Sequence, residues 1–309
     1  MGKPRVSHSD DYEQQMEKMF AAVGDLYARY WNDFFHFAIF RGDESWETAF
    51  AETHAKYLRA LRIAESKNIL ELSCGRGAFS NLMAQSTSGT VLGVDISQAQ
   101  LAHAKRFRRP NLEFRRHDVM KIDGLDDTFD AIAYIDAACY LPRKSEAVRK
   151  ISKILKPGGR LLLVDWCKAE GVNPVQDELV LHPFMKYWAI SNLETARNYE
   201  KYFRENDLKI VETEDLNAKT RKNWDFGYEK ALEAVRELSP KDLPRLLYTR
   251  IKLGGEGIKL IKDQFPAALY IKAAFDLGLL RYTYFLLEKD PAISGALQDH
   301  GSVDAAEAR

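Results

Sequence analysis

Two glycines and the acids around them are the residues of this sequence best suited to chemistry. Gly75 and Gly77 lie in the stretch Asn68 to Ser80, NILELSCGRGAFS, with Glu71 before them, Ser73 opening the turn, and Asp95 and Ile96 closing the next apolar run. Glycine lets a backbone approach a ligand with no Cβ in the way, and the free N–H groups of a following helix face a carboxylate or phosphate. The stretch reads as a strand, a tight turn and a helix start, that is, a cradle for a small molecule.

Departures from the dinucleotide fingerprint G-x-G-x-x-G narrow the ligand. Ser80 stands where the third glycine belongs, and the Glu71 carboxylate would repel a pyrophosphate. S-adenosylmethionine carries an ammonium and a sulfonium and no phosphate, so it tolerates Glu71, while Asp95 is placed to take the ribose hydroxyls. A nicotinamide-type site and a glycine turn that binds nothing are the alternatives.

Further acids follow on the same rim. The end of the fourth apolar run, Ala133-Tyr134-Ile135-Asp136-Ala137-Ala138-Cys139-Tyr140, brings a carboxylate and a phenol towards the glycine loop, because the first and fourth strands of such a sheet flank its switch point. Asp136 is the candidate for proton chemistry; a helix cap or turn acceptor is its plain structural role. Asp118, after His117, is placed to accept from an adenine amine with Val119 packing on the ring, unless the pair is only a surface turn. His36 is a candidate second base, set among Tyr27, Tyr30, Trp31, Phe34, Phe35, Phe37 and Phe40; a structural histidine is the alternative. Tyr30, Trp31, Phe34 and Phe35 could line an apolar substrate pocket, and the same cluster also suits a packed helical cap. No residues have metal-ligand spacing, and no serine nucleophile motif occurs.

The elements that must position these residues alternate strand and helix, which predicts an α/β fold: a doubly wound, mostly parallel, seven-stranded Rossmann-like sheet. Strands are expected at Asn68 to Leu72, Thr90 to Asp95, Leu112 to Arg116, Phe129 to Ile135, Gly159 to Asp165 and Lys209 to Leu216, with an antiparallel last strand at Arg281 to Lys289. Helices are expected at Tyr12 to Tyr30, Ser45 to Leu61, Ser97 to Phe107, Lys144 to Leu155 and around Asn192 to Asn206, with Lys156-Pro157-Gly158-Gly159 as a turn between elements. Between the sixth and seventh strands the apolar spacing predicts inserted helices at Asn223 to Leu238, Asp242 to Leu253 and Ala267 to Leu277, with Ser239-Pro240 as a helix start and Gly254-Gly255 as a breaker. The expected divisions are an N-terminal helical and aromatic cap (1–62), a cofactor-binding core (63–216), a helical substrate-pocket insertion (217–278), and a last strand with a polar tail (279–309).

Composition sets outer limits. The chain has 309 residues, 46% of them hydrophobic, enough for a sizeable core. Basic and acidic residues number 45 each, so no overall field favours a nucleic-acid partner. The polar first ten residues and the absence of a long apolar run predict a cytoplasmic protein with no transmembrane segment, compatible with peripheral membrane contact. Cys74, Cys139 and Cys167 suggest reduced, buried thiols rather than a disulfide framework. The inserted apolar helices would serve a substrate pocket or a homodimer interface.

On Glu71-Leu72-Ser73-Cys74-Gly75-Arg76-Gly77, Val94-Asp95, His117-Asp118 and Leu155-Lys156-Pro157-Gly158-Gly159 the chain resembles the class I S-adenosylmethionine-dependent methyltransferases, over about Ile63 to Trp166. Within them, WNDFFHF (Trp31 to Phe37), YIDAACYLP (Tyr134 to Pro142) and Val164-Asp165-Trp166 are similar to the sterol and prenyl-diphosphate C-methyltransferases. Asp136 stands where the sterol enzymes tend to carry Glu, and Tyr140 where they carry His. The resemblance implies S-adenosylmethionine as cofactor and a small hydrophobic substrate. It further implies attack of an alkene on the sulfonium methyl group, then loss of a proton from the carbocation to Asp136, or to a Tyr or His acting through it. Tyr30, Trp31, Phe35 and Tyr140 would each stabilise the cation by on the order of 0.5 to 2 kcal/mol. The same architecture serves N- and O-methylation of small natural products, and methyltransferase-fold proteins also include ligand binders and cyclases. With no identifiable cluster of basic residues for a diphosphate, a neutral lipid such as a sterol is the expected acceptor.

Overall fold

Runs such as Ile69-Leu70 and Val91-Leu92 become central strands because helices cover both faces of the sheet, so strictly alternating polarity is not needed. The computed structural model describes residues 9–30, 33–237, 263 and 265–291. Its strands are β1 (Asn68–Leu72), β2 (Thr90–Asp95), β3 (Leu112–Arg116), β4 (Phe129–Ile135), β5 (Leu155–Lys168), β6 (Leu208–Asp215) and β7 (Leu280–Lys289). They form one seven-stranded sheet in the order β3-β2-β1-β4-β5-β7-β6. β7 is the strand that runs against its neighbours, pairing antiparallel with both β5 and β6.

Before the sheet come α1 (Ser9–Tyr30) and α2 (Trp46–Ala60), the latter capped by the Ser45 side chain. The crossovers are α3 (Ala78–Gln85), α4 (Gln98–Ala104, capped by Ser97) and α5 (Lys144–Ile154), with 3₁₀ turns at Val119–Gly124 and Ala138–Tyr140. After β5 the chain makes a helical excursion that the sequence reading left unassigned: α6 (Pro174–Gln176), a π turn (Asp177–Leu181) and α7 (His182–Tyr187). Then come α8 (Ala196–Arg204), β6, α9 (Asn217–Glu237), a helical run over residues 265–276, and β7.

Several boundaries differ from expectation, α9 beginning at Asn217 rather than Asn223 and α1 at Ser9 rather than Tyr12, and two more differ for local reasons. α4 stops at Ala104, short of Phe107, with the Arg108-Arg109-Pro110 turn following. β5 begins at Leu155 rather than Gly159: Phe129 pairs with Leu155 and Ala131 with Arg160, so Lys156 to Gly159 bulge out of a continuing strand. Gly158, at φ 74, makes that excursion possible.

The inserted helices pack on the core from behind the cap. Trp224 of α9 stacks on Phe275 at 3.5 Å, and Phe37 meets the edges of both Trp224 and Tyr282. Asn223 ties α9 to the cap, accepting from the Ala38 N–H at 2.9 Å and donating to its carbonyl at 2.8 Å. The expected Ser239-Pro240 start, the Asp242 to Leu253 helix and the Gly254-Gly255 breaker lie outside the described residues, as does Trp31. Among the described residues no helix is long and apolar enough to cross a membrane.

Candidate active site

The carboxyl ends of β1, β2 and β4 meet the N-terminal cap around one cleft, where an open parallel sheet places its ligands. At the β1 end the chain turns sharply, with Ser73 at φ 55 and Gly75 at φ 53. The Asp95 carboxylate holds this turn from β2, accepting the Gly75 N–H and the Ser97 N–H at 2.8 Å each. Glu71 accepts from the Ser80 hydroxyl, so the residue standing where the fingerprint has its third glycine instead anchors an acid. Burial pushes Glu71 up to about 8 and Asp95 up to about 6, because charge is poorly solvated there.

Gly75 and Gly77 do different work. A Cβ on Gly75 would touch only the Phe35 ring, at 3.4 Å, whereas one on Gly77 would lie 2.5 Å from Phe114 and 2.9 Å from the Ala104 Cβ. Gly77, at φ 76, therefore permits the turn and the close packing of α3 against β3 and α4, and it lies outside the cleft wall. Asp118 and Val119 also sit outside that wall. Asp118 accepts the Met120 N–H at 2.8 Å through Oδ1, while its buried Oδ2 has no hydrogen-bond partner.

The opposite wall carries Asp136, held at φ 54 with its N–H donating to the Val164 carbonyl at 2.8 Å. Phe35, at φ 57, is another cleft residue in the left-handed region. Backbone strain of about 1–3 kcal/mol per residue persists where surrounding structure over-determines it, and it concentrates at functional sites. Burial and the nearby Asp165 carboxylate hold the Asp136 carboxyl well above the usual range, against the opposing pull of Tyr282 and the Phe37 backbone, and its buried Oδ1 closes no hydrogen bond of good geometry. Tyr140 closes the wall and meets Phe20 edge-on at 5.7 Å.

The loop carrying Asp136 and Tyr140 is pinned from below by Lys144, a fully buried lysine. Its Nζ donates to the carbonyls of Cys139 (3.1 Å), Leu141 (2.9 Å) and Asn192 (2.9 Å) and to Asn192 Oδ1 (2.6 Å). The sequence showed only a lysine at a helix start.

His36 also lines the cleft. It is 3.2 Å from the Phe37 carbonyl through Nδ1 and 3.2 Å from His54 Nε2 through Nε2, among the rings of Phe34, Phe50 and Phe79. Burial lowers its imidazole to about 4, so it is neutral at pH 7.

Glu71, Ser73, Gly75, Asp95, Ile96, Asp136, Tyr140, His36, Phe34 and Phe35 thus gather around one cleft. Tyr12, Met16 and Phe20 of α1, with Cys74, Ile135 and Ala137, complete its lining. Tyr12, Met16, Met19 and Val23 share a buried face of α1, of which the sequence reading gave only the helix.

Charge holds α1 in place. Arg76 pairs with Asp25 and, at 3.9 Å, with Asp33; Arg106 reaches Asp33 at 2.7 Å and Arg116 reaches Glu13 at 2.7 Å. With α1 and the Phe34 to His36 segment seated, the cleft has a volume of about 70 Å³. Pockets for drug-sized ligands run to roughly 300–1,000 Å³, so the cleft with this cap seated is small beside them.

The described lining includes three carboxyl groups, Glu71, Asp95 and Asp136, and neither lysine nor arginine. Such a cleft favours cations, which draw these raised carboxyls into their ionised forms, and its described lining offers a phosphate no cationic partner. Its Gly75 approach, its two acids at the β1 and β2 ends and the orphaned Asp118 oxygen fit a cationic nucleoside cofactor. Among the described residues no group of three side chains could hold a metal ion.

A family model described as a methyltransferase domain matches residues 45–213. The chain is 30% identical over 163 residues to the sterol 24-C-methyltransferase of Saccharomyces cerevisiae, a match covering 51% of this chain and 42% of that protein. It spans about half the length of the curated relatives it matches. Among solved structures, the [4+2]-cyclase SpnF superposes with a TM-score of 0.70 at 19% identity, over 90% of this chain and 96% of that one. Mycolic acid cyclopropane synthase CmaA1, solved with SAH and CTAB, gives a TM-score of 0.71 at 16% identity, over 93% and 99%. At these identities the structural likenesses speak for the fold.

Proposed function

The chain belongs to the methyltransferase-domain family, and from that premise we propose that it methylates carbon, at an alkene of a sterol or other neutral isoprenoid lipid. Its cofactor is S-adenosylmethionine, which when bound supplies an electrophilic methyl group on a sulfonium. Asp95 takes the ribose hydroxyls, with Ile96 against the adenine; Glu71, Ser73 and the Gly75 backbone receive the amino-acid end; Asp118 Oδ2 accepts the adenine amine, with Val119 behind it. Phe34, Phe35 and Tyr140 present ring faces to the acceptor and exclude water. Holding alkene and methyl group in line contributes roughly 7 to 11 kcal/mol of the barrier.

The observation that carries this reading is Asp136: a carboxyl with a buried oxygen that closes no hydrogen bond of good geometry, in an aromatic cleft whose described lining has three acids and no cation. A raised acid is a stronger base once ionised, and a cationic cofactor beside it favours ionisation. Asp136 then takes the proton from the methylated cation, and His36, neutral and joined to His54, orders the cap around it. The acid-rich lining disfavours a diphosphate on the acceptor. Trp224 of α9 packs on Phe37, the neighbour of the cleft residue His36, which supports reading residues 217–278 as part of the substrate pocket.

The test is mass spectrometry of reactions with methyl-labelled S-adenosylmethionine and a mixed panel of sterols, prenyl diphosphates, amines and phenols. Label in a neutral sterol or isoprenoid is the expected result. Label only in amines or phenols would transfer the protein to N- or O-methylation, which an acid-lined cleft also suits because it attracts an ammonium. No label would point to a binding or cyclising role.

A further inference from the structure

The floor beneath Asp136 is polar, and the chemistry so far uses none of it. Tyr282 and Tyr284 alternate on β7 and so face the same side of the sheet, opposite Trp166 and Val164 of β5. Both are fully buried, as is Tyr57 of α2, whose ring stacks on Tyr284 at 6.3 Å. Phe37 seals Tyr282 from one side at 5.0 Å. The Tyr282 and Tyr57 phenols and the Asp136 carboxyl lie within one another's electrostatic reach. Asp136 Oδ1 and the Tyr57 and Tyr282 hydroxyls are buried and close no hydrogen bond of good geometry, yet the Tyr282 hydroxyl lies near enough to interact with both the Asp136 carboxyl and the Tyr57 hydroxyl.

Leaving one buried polar group unsatisfied costs about 1–3 kcal/mol, and folded proteins seldom leave neighbouring groups so. A hydroxyl both donates and accepts and can rotate between partners, so such a group of atoms suits proton transfer, with an ordered water wherever two oxygens do not touch. The outer end reaches charged surface. The Tyr284 hydroxyl lies 3.5 Å from Glu212 Oε2, and Lys56 pairs with Glu212 at 3.4 Å and Glu214 at 2.6 Å.

We propose that Tyr282 and Tyr57 form a relay that carries the proton from Asp136, through Tyr284, to the Glu212 carboxylate at the surface. The inference rests on Asp136 being the base. A C–H bond of the methylated cation breaks, its electron pair forms the new alkene, and the proton joins the Asp136 carboxylate. Asp136 protonates the Tyr282 oxygen as Tyr282 passes its own proton to Tyr57, Tyr57 to Tyr284, and Tyr284 to Glu212. Every phenol is neutral before and after, and Asp136 is again ionised for the next turnover. Tyr282 and Tyr57 act through Asp136 and are positioning residues.

The experiment uses the full chain and a sterol with a side-chain alkene, with and without deuterium at the carbon that loses the proton. Tyr282→Phe and Tyr57→Phe keep the ring and remove a hydroxyl that closes no hydrogen bond of good geometry, so melting temperature and cofactor affinity should hold. The expected result is a fall in kcat of about tenfold or more with KM little changed, and a larger substrate deuterium isotope effect on kcat, since proton removal becomes slow. Tyr284→Phe should repeat this more weakly, which keeps a readout if either inner variant fails to fold. Wild-type kcat and isotope effect in the tyrosine variants, beside a collapse in Asp136→Asn, would overturn the relay and leave the base assignment standing. Full alkene methylation by Asp136→Asn would overturn both.

Discussion

The two ends of the cleft satisfy their acids in different ways. At the β1–β2 end, Asp95 is held by the Gly75 and Ser97 backbone N–H groups and Glu71 by the Ser80 hydroxyl, partners close in sequence. At the β4 end, Asp136 Oδ1 and the hydroxyls of Tyr57 and Tyr282 come from distant parts of the chain and close no hydrogen bond of good geometry. The first end is a finished local structure to which a cofactor adds. The second is assembled by tertiary packing and is completed by what it binds.

That division makes separable predictions. Asp136→Asn should reduce alkene methylation by about 10²- to 10⁴-fold, the usual range for a lost acid–base group, while calorimetry finds cofactor affinity within about twofold of wild type and amine or phenol methylation largely retained. A parallel loss of cofactor affinity would erase the distinction between the ends. Asp95→Ala should do the reverse, raising the cofactor Kd by roughly 10- to 100-fold, as losing hydrogen bonds to a charged group costs about 1.5–3 kcal/mol. Unchanged affinity would count against the ribose assignment.

Smaller effects come from pH. A cation stabilises the ionised forms of Glu71 and Asp95, whose carboxyls lie at about 8 and about 6, so binding S-adenosylmethionine should release protons and tighten between pH 6 and 8. Calorimetry in buffers of different ionisation enthalpy measures that release, and proton uptake would reverse the sign. In the free protein Glu71 holds its proton to about 8, against an ordinary value of 4.5. Between those values the unfolded chain has lost the proton and the folded chain retains it, so stability declines as pH rises through that window. Thermal melts without cofactor should show the decline, and saturating cofactor should flatten it.

The same contrast explains what could be read in advance. The glycine turn, Asp95 and the placing of β1 beside β4 follow from short-range spacing and the handedness of crossovers, and they lie where that logic puts them. The early start of β5 was hidden because Pro157-Gly158 punctuates like a turn while the strand continues beneath it. The excursion from Pro174 to Tyr187 was missed because its short helical pieces pass through a π turn and offer no sustained period. The tyrosine floor needs the antiparallel register of β7 on β5, and that pairing has no local signature. Gly77 was legible as a necessary glycine, but the reason lies in Phe114, on a strand further along the chain.

Glu13 and Asp25 of α1 and Asp33 just beyond it, stitched to Arg116, Arg76 and Arg106 on the core, also bear on the proposed catalytic cycle in time. On the proposed reading, a helix that roofs the cleft this closely should admit nucleoside before acceptor and let spent nucleoside out only as the stitches part, so that departure rather than bond making would pace turnover. Raising ionic strength weakens exposed charge pairs, so moderate salt should quicken multiple turnovers while leaving a single turnover untouched.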